Sequence, residues 1–323
     1  MMETLVLAAL LLAAPQGLEV EPGATSVSPL DSCPKPAAGQ SSPSGMPILC
    51  YHHVSREPGL YSVTPRRLES DLISLADAGF HLVTPRDLED GLMRIPAGRR
   101  PVMVTFDDGW QDNMAFTDGD TGSELDSGCA LSVMERVSDS RPELGRGAVF
   151  YISWDKVPFG TSSRVGEKLN RLLDMGYAIG NHTLYHASYA SLPRDRWERS
   201  ITGAMDRFRS HLGLRASSVA SLSYPGGGLP KAVGAEEFME SVRYRGRSAV
   251  RFGVLVDGAV TSLRRMSETG LGRYRTSRID MSRYSVHKLL QWRSLPEPGV
   301  GRASLHDPPP YRMTPLELAF PEG

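Results

Sequence analysis

The chain has 323 residues, 36 basic side chains against 37 acidic ones for a formal charge of -1, and 40% hydrophobic residues. That composition is ordinary for a globular protein, excludes a small disulfide scaffold, and leaves room for one large α/β domain or two small ones. A pI near 6.7 offers no global attraction to a phosphate backbone, and no local basic patch stands out, so nucleic acid is not expected as a partner. The three cysteines, Cys33, Cys50 and Cys129, form no C-x-x-C pair, which argues against a thiolate zinc site or a dithiol redox motif. Cys50 lies in an apolar run and reads as a buried small hydrophobe, although a bridge to Cys129 is left open.

At the start of the chain, Leu5 to Ala14 is a short apolar run, too short for a transmembrane segment but suited to the core of a signal peptide. Residues 1–20 are accordingly read as a signal peptide, which implies a secreted or cell-envelope location. Against this reading, Glu3 precedes the run and no basic residue does. Residues 21–45 are rich in Pro, Ser, Gly and Ala and read as a disordered linker. The folded domain is expected over 46–294, and a proline-rich tail over 295–323.

Within that domain, short apolar runs alternate with helical patterns, the signature of parallel strands joined by crossover helices. Pro47 to Tyr51 reads as the first strand. Thr64 followed by Pro65 is a helix start, with Leu68, Leu72 and Leu75 on one face and Gly79 as the stop. Phe80 to Val83 reads as a strand, and Thr84 with Pro85 starts a short helix expected to run through Met93. Pro101 to Phe106 is a continuous apolar strand ending in Asp107, Asp108 and Gly109. A helix is expected around Leu131 to Val137, a strand at Ala148 to Ile152, a helix at Glu167 to Met175 and a strand at Tyr177 to Gly180. A helix over Pro193 to His211 then precedes strands at Val219 to Tyr224, Val250 to Val256 and Arg278 to Met281, with a closing helix over Ser285 to Arg293. The polar excursion from Asp118 to Arg146 is either one wall of a groove or disordered.

Adjacent carboxylates at the end of a buried strand must diverge, so one can hold a metal while its neighbour faces a substrate. An Asp-Asp-Gly turn alone would be the plainer explanation. His182 and His186, four residues apart, would share one side of a helix and could share one metal ion. Either feature by itself is weak.

Two motifs in order carry a resemblance. V-T-F-D-D-G at Val104 to Gly109 and G-Y-A-I-G-N-H-T-L-Y-H at Gly176 to His186 resemble the polysaccharide deacetylases, the NodB-type domain of carbohydrate esterase family 4. Supporting matches are I-L-C-Y-H-H-V at Ile48 to Val54, as in the bacterial exopolysaccharide branch, G-A-V-F-Y-I at Gly147 to Ile152, S-Y-P-G-G at Ser223 to Gly227, and R-I-D-M at Arg278 to Met281. The resemblance spans about 46–281. It implies a distorted (β/α) barrel, usually of seven strands, with the site at the strand C-terminal ends. It also implies metal-dependent removal of acetyl groups from a polysaccharide, most simply N-acetyl groups of a β-linked glucosamine polymer. By position in the motifs, Asp108, His182 and His186 are the ligands of one divalent ion, zinc being simplest and nickel or cobalt also fitting. Asp107 is the general base and Gly226 supplies a backbone N–H to the oxyanion, while Thr183 either supports the histidines or is a plain helix or turn residue, and Tyr224 either walls the sugar pocket or is a core aromatic of its strand.

Two departures stand out. The arginine that many relatives carry before the proline of the third motif is Ser223 here, as small residues are in the exopolysaccharide branch. No histidine precedes Asp257 in the apolar run where relatives often carry the general acid, which leaves His52, His53 and His306 as candidates. His81, His211 and His287 read as surface or capping residues. Trp110 is expected either to stack on a sugar or to pack under its loop. The missing motifs also keep open a catalytically impaired glycan-binding module on the same fold.

Overall fold

The computed structural model describes residues 45–291, apart from 58, 91, 93, 232 and 263–269. The signal-peptide, linker and tail readings, and His306, lie outside the described residues. The strands in chain order are β1 (Ile48–Tyr51), β2 (His53–Val54), β3 (Ser62–Val63), β4 (Phe80–Leu82), β5 (Arg100–Phe106) and β6 (Val149–Ile152). They continue with β7 (Ala178–Asn181), β8 (Ser221–Ser223), β9 (Arg243–Tyr244), β10 (Arg247–Ser248), β11 (Phe252–Val254) and β12 (Ile279–Asp280).

Seven of these form a parallel path in the order β11-β8-β7-β6-β5-β1-β12, and β4 pairs with β5 beside it. The seven-stranded α/β architecture read from the sequence is therefore present. The last segment joins the two ends of the path. Thr276 bridges Val254 of β11 in parallel, while Ile279 and Asp280 pair with Leu49 and Cys50 of β1. Residues 276–280 thereby curl the sheet toward a distorted barrel and carry Arg278 into its interior, where it is fully buried.

The helices form where the local signals placed them. Thr64 accepts the Arg67 N–H through its hydroxyl at 3.1 Å and caps the helix Pro65–Asp77, whose Leu68, Leu72 and Leu75 are buried. The Thr84 start is held by the Asp87 carboxylate, which accepts the Thr84 N–H at 2.8 Å. That helix covers only Pro85–Glu89 and ends well before the expected Met93, which itself lies outside the described residues. A longer helix would have needed an apolar face, and none of its residues is buried. Helices Ala130–Ser140, Val165–Asp174, Trp197–Leu212 and Val286–Gln291 follow the expected positions within a few residues. The helix Ala235–Ser241 and the β9–β10 hairpin were not legible in the sequence pattern.

The excursion after β5 is ordered by a buried ion pair. Lys168 donates to Asp120 at 2.5 Å and to the Phe159 carbonyl at 2.7 Å, and both charged side chains are essentially inaccessible. Asp120 also accepts the Phe116 N–H at 2.8 Å. The loop is thus fastened to the helix Val165–Asp174. Cys50 and Cys129 are both free and buried, so no bridge joins them.

Candidate metal and catalytic site

The site forms where β5, β7 and β8 end, because a parallel sheet delivers all its strand C-termini to one rim. The Asp107 N–H donates to the Tyr51 carbonyl at 2.9 Å, the last rung between β5 and β1. Beyond it the chain turns through two left-handed residues, Asp108 (φ 75°) and Gly109 (φ 69°). Aspartate and glycine are the residue types that accept such backbone. The His182 N–H donates to the Ile152 carbonyl at 2.9 Å at the end of β7.

The segment carrying the two histidines is not a helix, contrary to the geometry by which their spacing was read. It is a tight turn with Thr183 (φ 76°) and His186 (φ 49°) both left-handed. The Asn181 side chain accepts the Thr183 N–H at 2.7 Å, and the Thr183 hydroxyl accepts the His186 N–H at 3.1 Å. Thr183 therefore shapes the turn that brings the imidazoles together, with ring centroids 4.9 Å apart.

Asp108, His182 and His186 converge, each offering one ligand atom within 4.8 Å of the others. His182 Nε2 lies 3.2 Å and His186 Nε2 2.9 Å from the same oxygen, Asp108 Oδ1. His182 Nδ1 sits 2.9 Å from the Ser223 carbonyl, which can only accept, so Nδ1 carries the hydrogen and the neutral ring presents a lone pair at Nε2. Asp108 Oδ1 is buried and has no hydrogen-bond partner. One carboxylate oxygen and two imidazole nitrogens are the donor set of a divalent transition metal, so the residues fit the ion that the sequence implied. Burial alone would raise the Asp108 carboxyl, but the two imidazoles outweigh it and hold it well below the usual range.

Asp107 is held differently. Arg278 grips it with both arms, NH1 to Oδ1 and NH2 to Oδ2, each at 2.7 Å. The Ser223 hydroxyl donates to Asp107 Oδ2 at 3.0 Å and lies 2.7 Å from Arg278 NH2, while Thr105 Oγ1 accepts from NH1 at 3.0 Å. Burial pushes the Asp107 carboxyl up, but the Arg278 charge and hydrogen bonds prevail and its affinity for protons is lowered. With Ser223 rather than an arginine near Pro225, the counter-charge of Asp107 comes from Arg278, just before β12. Sequence reading missed Arg278 as a site residue although R-I-D-M was noted. The available signal was an unmatched buried carboxylate and an arginine opening a short buried strand. Cys50, His52 and Asp107 also cluster within 4.8 Å, but the guanidinium already satisfies that carboxylate and repels a second cation.

The remaining candidates separate. His52 lies against Tyr61, ring centroids 5.2 Å apart, with Nδ1 buried and lacking a hydrogen-bond partner. Burial lowers its proton affinity, opposed by the carboxylates of Asp107 and Asp108. His53 turns away, with Nδ1 2.7 Å from Asp112 Oδ2 and its ring stacked on Trp110 at 4.1 Å. Tyr224 does not wall an opening. It is fully buried, its hydroxyl donates to the Tyr274 carbonyl at 2.9 Å, and it packs edge-on against Tyr189. The sheet turns this residue into the core, because its side follows β8 rather than the rim. Gly226 (φ 73°) sits in the turn just after β8. Trp110 donates its indole N–H to Asp108 Oδ2 at 2.8 Å, a contact no sequence pattern announced. Trp110 also borders a cleft of about 520 Å³ whose other walls include Arg56, Asp112 and Asp126.

A parallel α/β barrel with a carboxylate and two imidazoles gathered at its rim defines the class of protein. The family model for polysaccharide deacetylases matches residues 143–242, the stretch that contains both histidines and the Ser223 to Gly227 turn. Among solved structures, the fold is similar to the deacetylase PplD from Streptococcus pyogenes, determined in complex with acetate. That likeness has 18% identity and a TM-score of 0.54, and covers 77% of this chain and 98% of the other. It is also similar to a polysaccharide deacetylase from Bacillus cereus, at 17% identity and a TM-score of 0.53, covering 76% of this chain and 68% of the other. No curated protein matches the chain. Among the described residues, no helix is long and apolar enough to cross a membrane.

Proposed function

We propose that this protein is a metal-dependent hydrolase that removes acetyl groups from a polysaccharide outside the cytoplasm, with N-acetyl groups of a β-linked glucosamine polymer as the favoured substrate. The observation that carries the reading is the buried, unpartnered Asp108 oxygen faced by two imidazole nitrogens. Asp108, His182 and His186 would hold the ion, zinc by preference and nickel or cobalt as alternatives. Such an ion, when bound, supplies Lewis acidity toward the acetyl carbonyl and toward water.

The chain's own groups do the rest. Asp107, kept ionised by Arg278, accepts the proton of the attacking water. Arg278 and Ser223 fix the direction in which its carboxylate points. The Gly226 N–H is assigned to the developing oxyanion, where a backbone donor is independent of side chain. His52 is the best placed of the histidine candidates to return a proton to the leaving amine. Its Nδ1 is free of partners near both aspartates, and a proton it acquires is readily released. His53 is committed to Asp112.

Acetate release from a panel of acetylated glycans, with chelator and with added zinc, tests this reading. Asp107→Asn should lower turnover by about 10²- to 10⁴-fold while metal stays bound. A purified chain that binds no divalent ion at neutral pH, where neutral imidazole is available, overturns it. One observation favours a second reading, a glycan-binding module without turnover: Asp107 is 2% exposed and its proton affinity is depressed. That reading requires saturable glycan binding with no acetate released.

A further inference from the structure

The two oxygens of Asp108 have different surroundings, and Trp110 makes the difference. Oδ1 faces both imidazoles and accepts no hydrogen bond, whereas Oδ2 accepts the Trp110 indole N–H at 2.8 Å. The consecutive left-handed residues Asp108 and Gly109 fold the chain back so that residue 110 can reach the carboxylate two positions earlier. Trp110 is itself held on several sides. Its backbone N–H donates to Asn113 Oδ1 at 3.2 Å, and Asn113 Nδ2 donates to the His52 carbonyl at 2.7 Å. His53 stacks on the ring, braced by Asp112, and the Lys156 ammonium lies 4.3 Å from the ring centroid.

We propose that Trp110 is a positioning residue for the metal. Its indole N–H occupies Asp108 Oδ2, locks the carboxylate rotamer, and restricts Asp108 to binding through Oδ1 alone. A carboxylate free at both oxygens could close over an ion bidentately and fill a coordination position that water needs, while one held at Oδ2 leaves that position open. Trp110 thus does more than pack under its loop, because its polar edge is directed at the ligand carboxylate. This inference rests on the metal-site reading above.

The test is a calorimetric titration of metal-stripped, full-length protein with zinc, comparing wild type with Trp110→Phe, which keeps an aromatic ring for His53 and deletes the donor. The variant should bind zinc about 10- to 100-fold more weakly. Its metal-free melting temperature separates this loss from misfolding. Equal affinities overturn the role of Trp110 while leaving the metal site intact, whereas a wild type that binds no zinc overturns both. Should Trp110→Phe fail to fold, the four tryptophan indole N–H signals of ¹⁵N-labelled wild type give the answer. One of them should move in step with added zinc, and should cease to do so in Asp108→Asn. No moving signal, despite zinc binding, overturns the proposal.

Discussion

Asp107 and Asp108 are neighbours in sequence, both buried, and yet have opposite electrostatic circumstances. Asp107 meets a permanent protein cation that satisfies both its oxygens, and it needs nothing from outside. Asp108 meets two imidazoles and an indole N–H in place of a guanidinium, and one oxygen is left without a hydrogen-bond partner. The lesson is that the identity of the residue does not decide which aspartate takes a metal. The counter-charge the fold has already provided decides it, because a carboxylate gripped by guanidinium sits in a field that repels another cation, while its remaining lone pair stays open to a proton.

The sharpest way to break this contrast is to remove the Asp108 charge. Asp108→Asn should abolish zinc retention at stoichiometric metal and, with it, acetate release, while the fold persists by circular dichroism; undiminished zinc binding would place the ion elsewhere. Next comes the opposite side. Arg278→Met deprives buried Asp107 of its counter-charge, and should cost about 3 to 5 kcal/mol in urea unfolding at neutral pH, whether the carboxylate stays ionised or must take up a proton. A cost below that of an ordinary surface substitution would mean that Asp107 is solvated some other way.

The pair also sets a pH dependence. The folded-state pKa of Asp107 lies below its unfolded value, so its stabilisation is fully present above about pH 4 and is lost as pH falls through the lower folded value. In Arg278→Met the sign reverses, because burial without the cation favours the protonated acid. The stability gap between wild type and variant should therefore narrow steadily from neutral pH toward pH 3, as read by denaturation at stepped pH; a constant gap would break the assignment. The smallest effect concerns Tyr224. Tyr224→Phe should cost about 1 kcal/mol for its bond to the Tyr274 carbonyl and leave the KM for glycan unchanged. A raised KM would return this residue to the substrate.

Much of the architecture was legible because its causes are local. The Thr64–Pro65 start, the leucine stripe behind it, and the unbroken apolar run of β5 each act within one or two turns of chain, and the structure follows them. The Thr84 helix shows the limit: the start signal was obeyed, but no apolar face sustained it. The histidine pair shows a different limit. Their spacing announced shared chemistry, yet the turn that unites them depends on Asn181 and Thr183 bonding to backbone, which periodicity does not record.

Residue type and near-neighbour spacing carry the succession of strands and helices, the two aspartate and histidine motifs, and the side chains to suspect in them. It took the folded chain to bring Arg278 onto Asp107, 171 positions away, to hold Asp108 against Trp110, and to turn Tyr224 into the core. These outcomes depend on how β12 registers against β1 and on which way each strand end turns. Contacts fixed by closing a sheet on itself have no signature in the local order of residues.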